Sequence, residues 1–199
     1  MATALLGLLG VLLCALAHRS LNEPTCTIFS ASTESARFGC LCVDVSFTQV
    51  SGKWYLIGFA TNAEWFVARK ANMKMGIAVL TPTDEGDLEM AYSSLNPDGT
   101  CWRMNHLAQK TDIPGKFSFR SERWETDNGY ARVVDVKYDE YALIHTIKTK
   151  ADSTVLLNKL YGRTPDLSQD VVYKFTEFSL EQGILPENIA ILPKNDECP

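Results

Sequence analysis

From Gly52 onward the chain is divided into short runs rich in β-branched and aromatic residues. The runs are separated by Thr83-Asp84-Glu85-Gly86, Asn96-Pro97-Asp98-Gly99, Pro114-Gly115 and Asp127-Asn128-Gly129. Clusters of Gly, Pro, Asn and Asp reverse a chain because they tolerate or preset turn dihedrals. Strand-sized runs at this spacing confine the chain to an antiparallel all-β sandwich or barrel. The alternation inside the runs says that one face of each strand is buried. Leu88, Met90 and Tyr92 alternate with smaller or polar neighbours, Phe117 and Phe119 share one face, and Trp102, Met104, His106 and Ala108 share another.

Near the carboxyl end the period changes from two to about 3.6 residues. From Ser168, a predicted N-cap, Val171, Val172, Phe175 and Phe178 fall on one helical face, and Gly183 and Pro186 follow as stop signals. One amphipathic helix is therefore expected to pack on the outside of the sheet. The short run from Ile189 to Leu192 could then pair as a last strand.

The start of the chain is of a different kind. Residues 1–17 form a leucine-rich apolar run ending Ala15-Leu16-Ala17. This has the form of a secretory signal and is too short for a membrane anchor, which needs about 20 apolar residues. Residues 18–50 carry many serines and threonines without periodicity and are read as a poorly ordered extension, leaving 51–199 as the folded domain. Export would permit disulfides. Five cysteines lie beyond the leader, of which Cys26, Cys40 and Cys42 fall in the extension, where their spacing matches no zinc pattern. Nineteen basic against 24 acidic residues, with no basic run, argue against nucleic acid as a partner. No later segment is apolar enough to span a bilayer, and no G-x-S-x-G, H-E-x-x-H, C-x-x-C or G-x-G-x-x-G motif calls for a catalytic metal or a cofactor.

One strand-like stretch raises a question. Met73-Lys74-Met75-Gly76-Ile77-Ala78-Val79-Leu80 carries a glycine in its middle, where a side chain would ordinarily stiffen the strand.

Several residues resemble the lipocalin family. Gly52-Lys53-Trp54 is similar to its G-x-W signature, Tyr138-Asp139-Glu140-Tyr141 to its middle motif, and Leu160-Tyr161-Gly162-Arg163 to its late arginine motif. Gly58 to Trp65, Tyr138 to Leu143 and Leu192 to Cys198 further resemble the branch of lipocalin-type prostaglandin D synthases. The resemblance implies an eight-stranded antiparallel up-and-down barrel, or calyx, with one carboxyl-terminal helix packed outside. It implies that Trp54 plugs the floor with Arg163 across its face, beside a structural Gly52, and that Cys101 is disulfide-bonded to Cys198. It also implies a secreted protein that carries a small hydrophobic ligand such as a retinoid, a fatty acid or a prostaglandin-like lipid. The alternative it carries is a prostaglandin-H2 D-isomerase. In that enzyme a cysteine on the second strand attacks the substrate, and here this position is Gly76; its supporting hydroxyls fall on Leu56, Ala78 and Tyr92. The missing thiol disfavours catalysis, since thiolate chemistry needs sulfur at the substrate. Any cell-surface receptor is left open.

If Trp54 points inward, period two predicts that Leu56, Gly58 and Ala60 do too, with Gly76 and Ala78 facing them. Met90, Tyr92, Met104, His106, Phe119, Trp124 and Tyr161 would supply apolar and aromatic walls. Pattern alone favours a solid core, since Met and aromatic stripes more often pack than line a ligand site; the resemblance reverses that and implies a cavity. Between the first two strands, Trp65 and Phe66 would cover a ligand tail as a lid, with Arg69 or Lys70 holding its carboxylate at the mouth. Solvated charges at a loop edge are the alternative.

Overall fold

The structure, a computed structural model, describes residues 45–121, 124–150 and 153–199. The leader, most of the extension and Cys26, Cys40 and Cys42 lie outside these residues.

Eight strands follow one another: β1 Gly52–Thr61, β2 Ile77–Pro82, β3 Leu88–Leu95, β4 Cys101–Lys110, β5 Lys116–Ser121, β6 Trp124–Lys137, β7 Tyr141–Lys150 and β8 Ser153–Gly162. Each pairs antiparallel with the next, β8 returns to β1, and β1 also pairs with β2, so the sheet closes into the expected barrel. Closure gives each of these strands a neighbour on both sides, although β4 meets β5 only over Ala108–Lys110. The turn at Asn96 to Thr100 shows why the sequence punctuation works: Gly99 takes φ 81°, and the Asp98 side chain accepts from the Thr100 amide.

The Asp127-Asn128-Gly129 cluster is not a turn. Asn128 and Gly129 lie within β6, paired with Arg120 and Phe119 of β5. A Cβ on Gly129 would stand 2.3 Å from the Phe119 ring, so this glycine makes room for an aromatic side chain on the neighbouring strand.

The floor of the barrel is closed by a short helix, α1 (Phe47–Val50), inside the segment expected to be poorly ordered. Its Val50 carbonyl accepts from the Trp54 indole N–H at 2.7 Å, and Trp54 is 1% exposed. The Arg163 guanidinium lies 3.8 Å from the Trp54 ring centroid. It also donates to the carbonyls of Gln49, Ser51, Lys53 and Tyr138, so one planar cation satisfies the backbone of α1, β1 and the β6–β7 turn together. Gly52 has φ 91°, a conformation that a side chain would strain.

On the flank lies α3 (Gln169–Glu181), capped by Ser168 through its backbone carbonyl. Val171, Phe175 and Phe178 are buried against Ala60, Leu143 and Leu160 on the outer face of β1, β7 and β8, and Val172 is half-buried. Full burial of each such side chain is worth roughly 1.5–3 kcal/mol. After the helix, Ile189–Ile191 forms β9 and pairs with Gly58–Ala60 of β1. The tail then runs back to Cys198, which is disulfide-bonded to Cys101 at a Cα separation of 5.9 Å.

The register of β1 against β8 shifts between Leu56 and Gly58, marking a β-bulge. A bulge inserts one residue and inverts the in/out alternation beyond it. Leu56 opposes Tyr161 and faces in, whereas Gly58 opposes Leu160 and Ala60 opposes Asn158, both of which face α3. Gly58 and Ala60 are therefore not cavity residues, contrary to the period-two expectation. A Cβ on Gly58 would meet the Phe175 ring at 2.8 Å, so the missing side chain seats the helix.

Candidate ligand-binding site

The barrel encloses a cavity of about 710 Å³, within the roughly 300–1,000 Å³ usual for small-molecule sites. Trp54, Val50 and Val45 lie at its floor, and Leu80, Leu88, Val133, Ile144 and Leu157 are among the aliphatic side chains on its wall. The predicted residues Ala78, Met90, Met104, His106, Phe119 and Tyr161 line it. Leu56 faces in but packs into the buried cluster with Trp54, Ala78 and Tyr161 rather than onto the open space. Trp124 lies in β6 at a position whose side chain is outside the described residues.

Gly76 sits just ahead of β2, away from the cavity surface. A Cβ there would stand 2.1 Å from the Tyr92 hydroxyl oxygen and 2.7 Å from the Ser93 carbonyl oxygen. The phenol of Tyr92 thus occupies the space that a side chain at 76 would need. Burial pushes its pKa up to about 12, with the nearby Tyr161 adding to the effect, so it stays a neutral hydrogen-bonding group. Its ring packs edge-on against Trp102 with centroids 5.6 Å apart.

The segment after β1 forms α2 (Trp65–Arg69), with Lys70–Asn72 as one 3-10 turn. Phe66 is fully buried and stacks on Phe59 at 5.3 Å, and Trp65 leans on both rings while remaining 45% exposed. Neither Trp65 nor Phe66 contributes to the cavity surface. Lys70 donates to the Glu187 carbonyl in the turn before β9, and the Arg69 guanidinium lies 6.0 Å from the Trp65 ring centroid. The two cations expected to hold a carboxylate are directed at the protein's outer surface.

A different cation faces the interior. Lys159 on β8 lines the cavity, two residues from Leu157 and two from Tyr161 on the same face, opposite Phe59 on β1 and Ile144 on β7. It has no hydrogen-bond or ion-pair partner among the described residues, and no acidic side chain lines the cavity among them. Burial lowers its pKa to about 8. Lys148, nearer the β7–β8 turn, also lines the cavity and lies 5.7 Å from the Phe119 ring centroid. The sequence carried a signal for Lys159: once Tyr161 is placed inward, stepping back by two along the strand places Lys159 and Leu157 inward as well. The mechanistic motifs considered at the outset contain no buried lysine, so that step was not taken.

A closed antiparallel barrel with a plugged floor, a helix on its flank and an apolar chamber of this size is the architecture of a carrier for small hydrophobic molecules. The chain belongs to the lipocalin family: residues 51–196 match the lipocalin and cytosolic fatty-acid binding protein family. It is 41% identical over 150 residues to a lipocalin of Rhinella marina, covering 75% of this chain and 81% of that one. It is 30% identical over 151 residues to the extracellular fatty acid-binding protein of Gallus gallus (76% and 82% covered) and 34% identical over 148 residues to the prostaglandin-H2 D-isomerase of Mus musculus (74% and 77% covered). Among solved structures, the siderocalin Ex-FABP, described as functioning through dual ligand specificities, superposes with a TM-score of 0.65 at 30% identity, covering 74% of this chain and 96% of that one.

Proposed function

We propose that this lipocalin is an exported carrier of a lipid with an acidic head group, held tail-upward in the barrel with its acid on Lys159. The observation that carries the reading is a buried amine with no partner among the described residues, on a cavity wall that carries no acidic side chain among them. Burying a charge without a partner is costly, and an anion brought in by the ligand removes that cost. Fatty acids, retinoic acid and prostaglandins all have this chemistry, and a relative named as a fatty acid-binding protein is consistent with it. Export is supported by the leader, by a disulfide of the kind that persists in oxidising compartments, and by relatives named extracellular.

The isomerase reading is disfavoured on two counts. Gly76 supplies no thiol, and Tyr92 fills the space in which one would sit. Binding is the reading that uses the residues present.

Displacement of a fluorescent fatty acid by palmitate and by the matching alcohol tests the carrier. In the native protein the acid should bind about ten- to a hundredfold more tightly than the alcohol, the value of a charge-assisted hydrogen bond of roughly 1.5–3 kcal/mol. Lys159→Met should abolish this preference, whereas the double alanine variant at Arg69 and Lys70 should keep it. Retention of the preference without Lys159 would refute the anchor, and failure of either ligand to bind would refute the carrier.

A further inference from the structure

A lysine amine becomes a nucleophile only when it is neutral, accessible and free of competing partners. In most proteins these conditions conflict, because accessible lysines are solvated and charged. The interior of this barrel meets them together at one residue. Lys159 projects into a chamber large enough for a lipid, its neighbours Leu157, Ile144 and Phe59 are apolar, and no carboxylate among the described residues pairs with it. Burial supports the same conclusion from the side of protonation. With a pKa of about 8, roughly a fifth of the amine is neutral at pH 7.4, against about a thousandth for an ordinary lysine.

We propose that the Lys159 amine captures long-chain lipid aldehydes, the chemical class of retinal, as an imine inside the barrel. The inference rests on the carrier reading above and adds a second, covalent class of ligand to the same chamber.

The chemistry balances without any further reagent. The lone pair of neutral Nζ attacks the carbonyl carbon while the carbonyl π pair moves to oxygen, which takes up a proton. The resulting carbinolamine loses its hydroxyl group, with a proton, as water. Loss of the remaining N–H proton leaves the C=N bond, so amine and aldehyde yield imine and one water. The apolar wall favours this product, because imines revert where water is plentiful, and it holds the chain so that the carbonyl meets the amine repeatedly. Tyr161, the phenol two residues along on the same face of β8, cannot serve as a counter-ion, because burial raises its pKa and it stays neutral. With no anion to stabilise an iminium, the adduct should be the unprotonated imine at neutral pH.

The test equilibrates the full-length secreted protein with all-trans-retinal as probe at each pH and then adds sodium borohydride, which reduces the neutral imine, as trap, followed by intact mass and peptide mapping. Quenching of tryptophan fluorescence by retinol is followed in parallel as a measure of non-covalent uptake. The expected result is a single reduced retinyl adduct on the peptide containing Lys159, with a yield that rises with pH to a midpoint near 8. Lys159→Arg, checked for folding by circular dichroism, should lose the adduct, and Lys53→Gln on the outer surface should keep it. Mapping on the unmodified chain decides the site even if the arginine variant fails to fold. Adducts spread over surface lysines, or retinol uptake with no trapped adduct, would overturn the imine and leave the carrier standing. Absence of retinol and fatty-acid uptake alike would overturn both.

Discussion

Asn158 and Lys159 are neighbours on β8, and their side chains project from opposite sides of the barrel wall. Asn158 lies fully buried under α3, where every polar group has a partner: its side chain meets the His145 ring nitrogen at 2.6 Å and donates to the Ser179 hydroxyl at 3.1 Å. Ser179 in turn donates to the Phe175 carbonyl. Lys159 has none of this and faces a space instead. The outer face of the strand is built like a protein core, with satisfied polar groups among close-packed rings. The inner face carries a buried amine with no partner among the described residues. One strand thus separates stability from binding by the alternation of its side chains alone.

This division can be broken by mutation. The largest effect is expected from Asn158→Ala, which takes the partner of the His145 ring nitrogen and a donor to Ser179, whose own bond to the Phe175 carbonyl survives. At roughly 1–3 kcal/mol for a buried group left without a partner, stability measured by chemical denaturation should fall by about 2–3 kcal/mol. Affinity for a fatty acid should not change, and a loss of affinity on the same scale would show that the two faces are coupled.

Lys159→Met should act in the opposite direction and raise stability at pH 7 by roughly 1–3 kcal/mol, because it replaces an unpaired buried cation with a side chain that suits the cavity. The dependence on pH gives this prediction its sign. The amine titrates near 8 when folded and near its ordinary 10.5 when unfolded, so between these values the unfolded chain binds more protons. The unmodified protein should therefore gain stability as pH rises through that window, and the advantage of the methionine variant should vanish by about pH 11. Urea midpoints across that range would show a constant gap instead if Lys159 were already neutralised.

The smallest effect belongs to His145. Burial holds its pKa below the ordinary 6.5, and the Arg132 charge adds to this against the opposing hydrogen bond from Asn158. Below about pH 6.5 the unfolded chain takes up a proton that the folded chain resists, so stability should decline on acidification and stay level above that pH. The loss should be absent in His145→Gln. A slope that survives the substitution would assign acid sensitivity elsewhere.

What the sequence made legible follows the same division. Features set by local pattern were readable: alternation in β3 to β5, the apolar stripe of α3 and the pairing of Ile189–Ile191 as a final strand. Resemblance supplied the Trp54–Arg163 stack and the Cys101–Cys198 bond, which link residues far apart in the chain. The β1 wall was misread because one extra residue between Leu56 and Gly58 inverts the parity, and nothing in Leu56-Ile57-Gly58 distinguishes a bulge from regular strand. Gly58, Gly76 and Gly129 all looked like local backbone features, yet each yields to a ring from another element: Phe175, Tyr92 and Phe119. Such complementarity is a property of packed surfaces, which a linear pattern does not record.

The short β9 has a consequence for how the margin of β1 is shielded. β1 is bonded to β2 only over Gly52–Tyr55, and further along the same strand Gly58–Ala60 is covered by β9. A protease that clipped the chain between α3 and Ile189 would uncover three residues of β1 backbone. Exposed strand margins of that kind recruit one another. The carboxyl-terminal strap, held down by its bond to β4, thus guards this margin of β1.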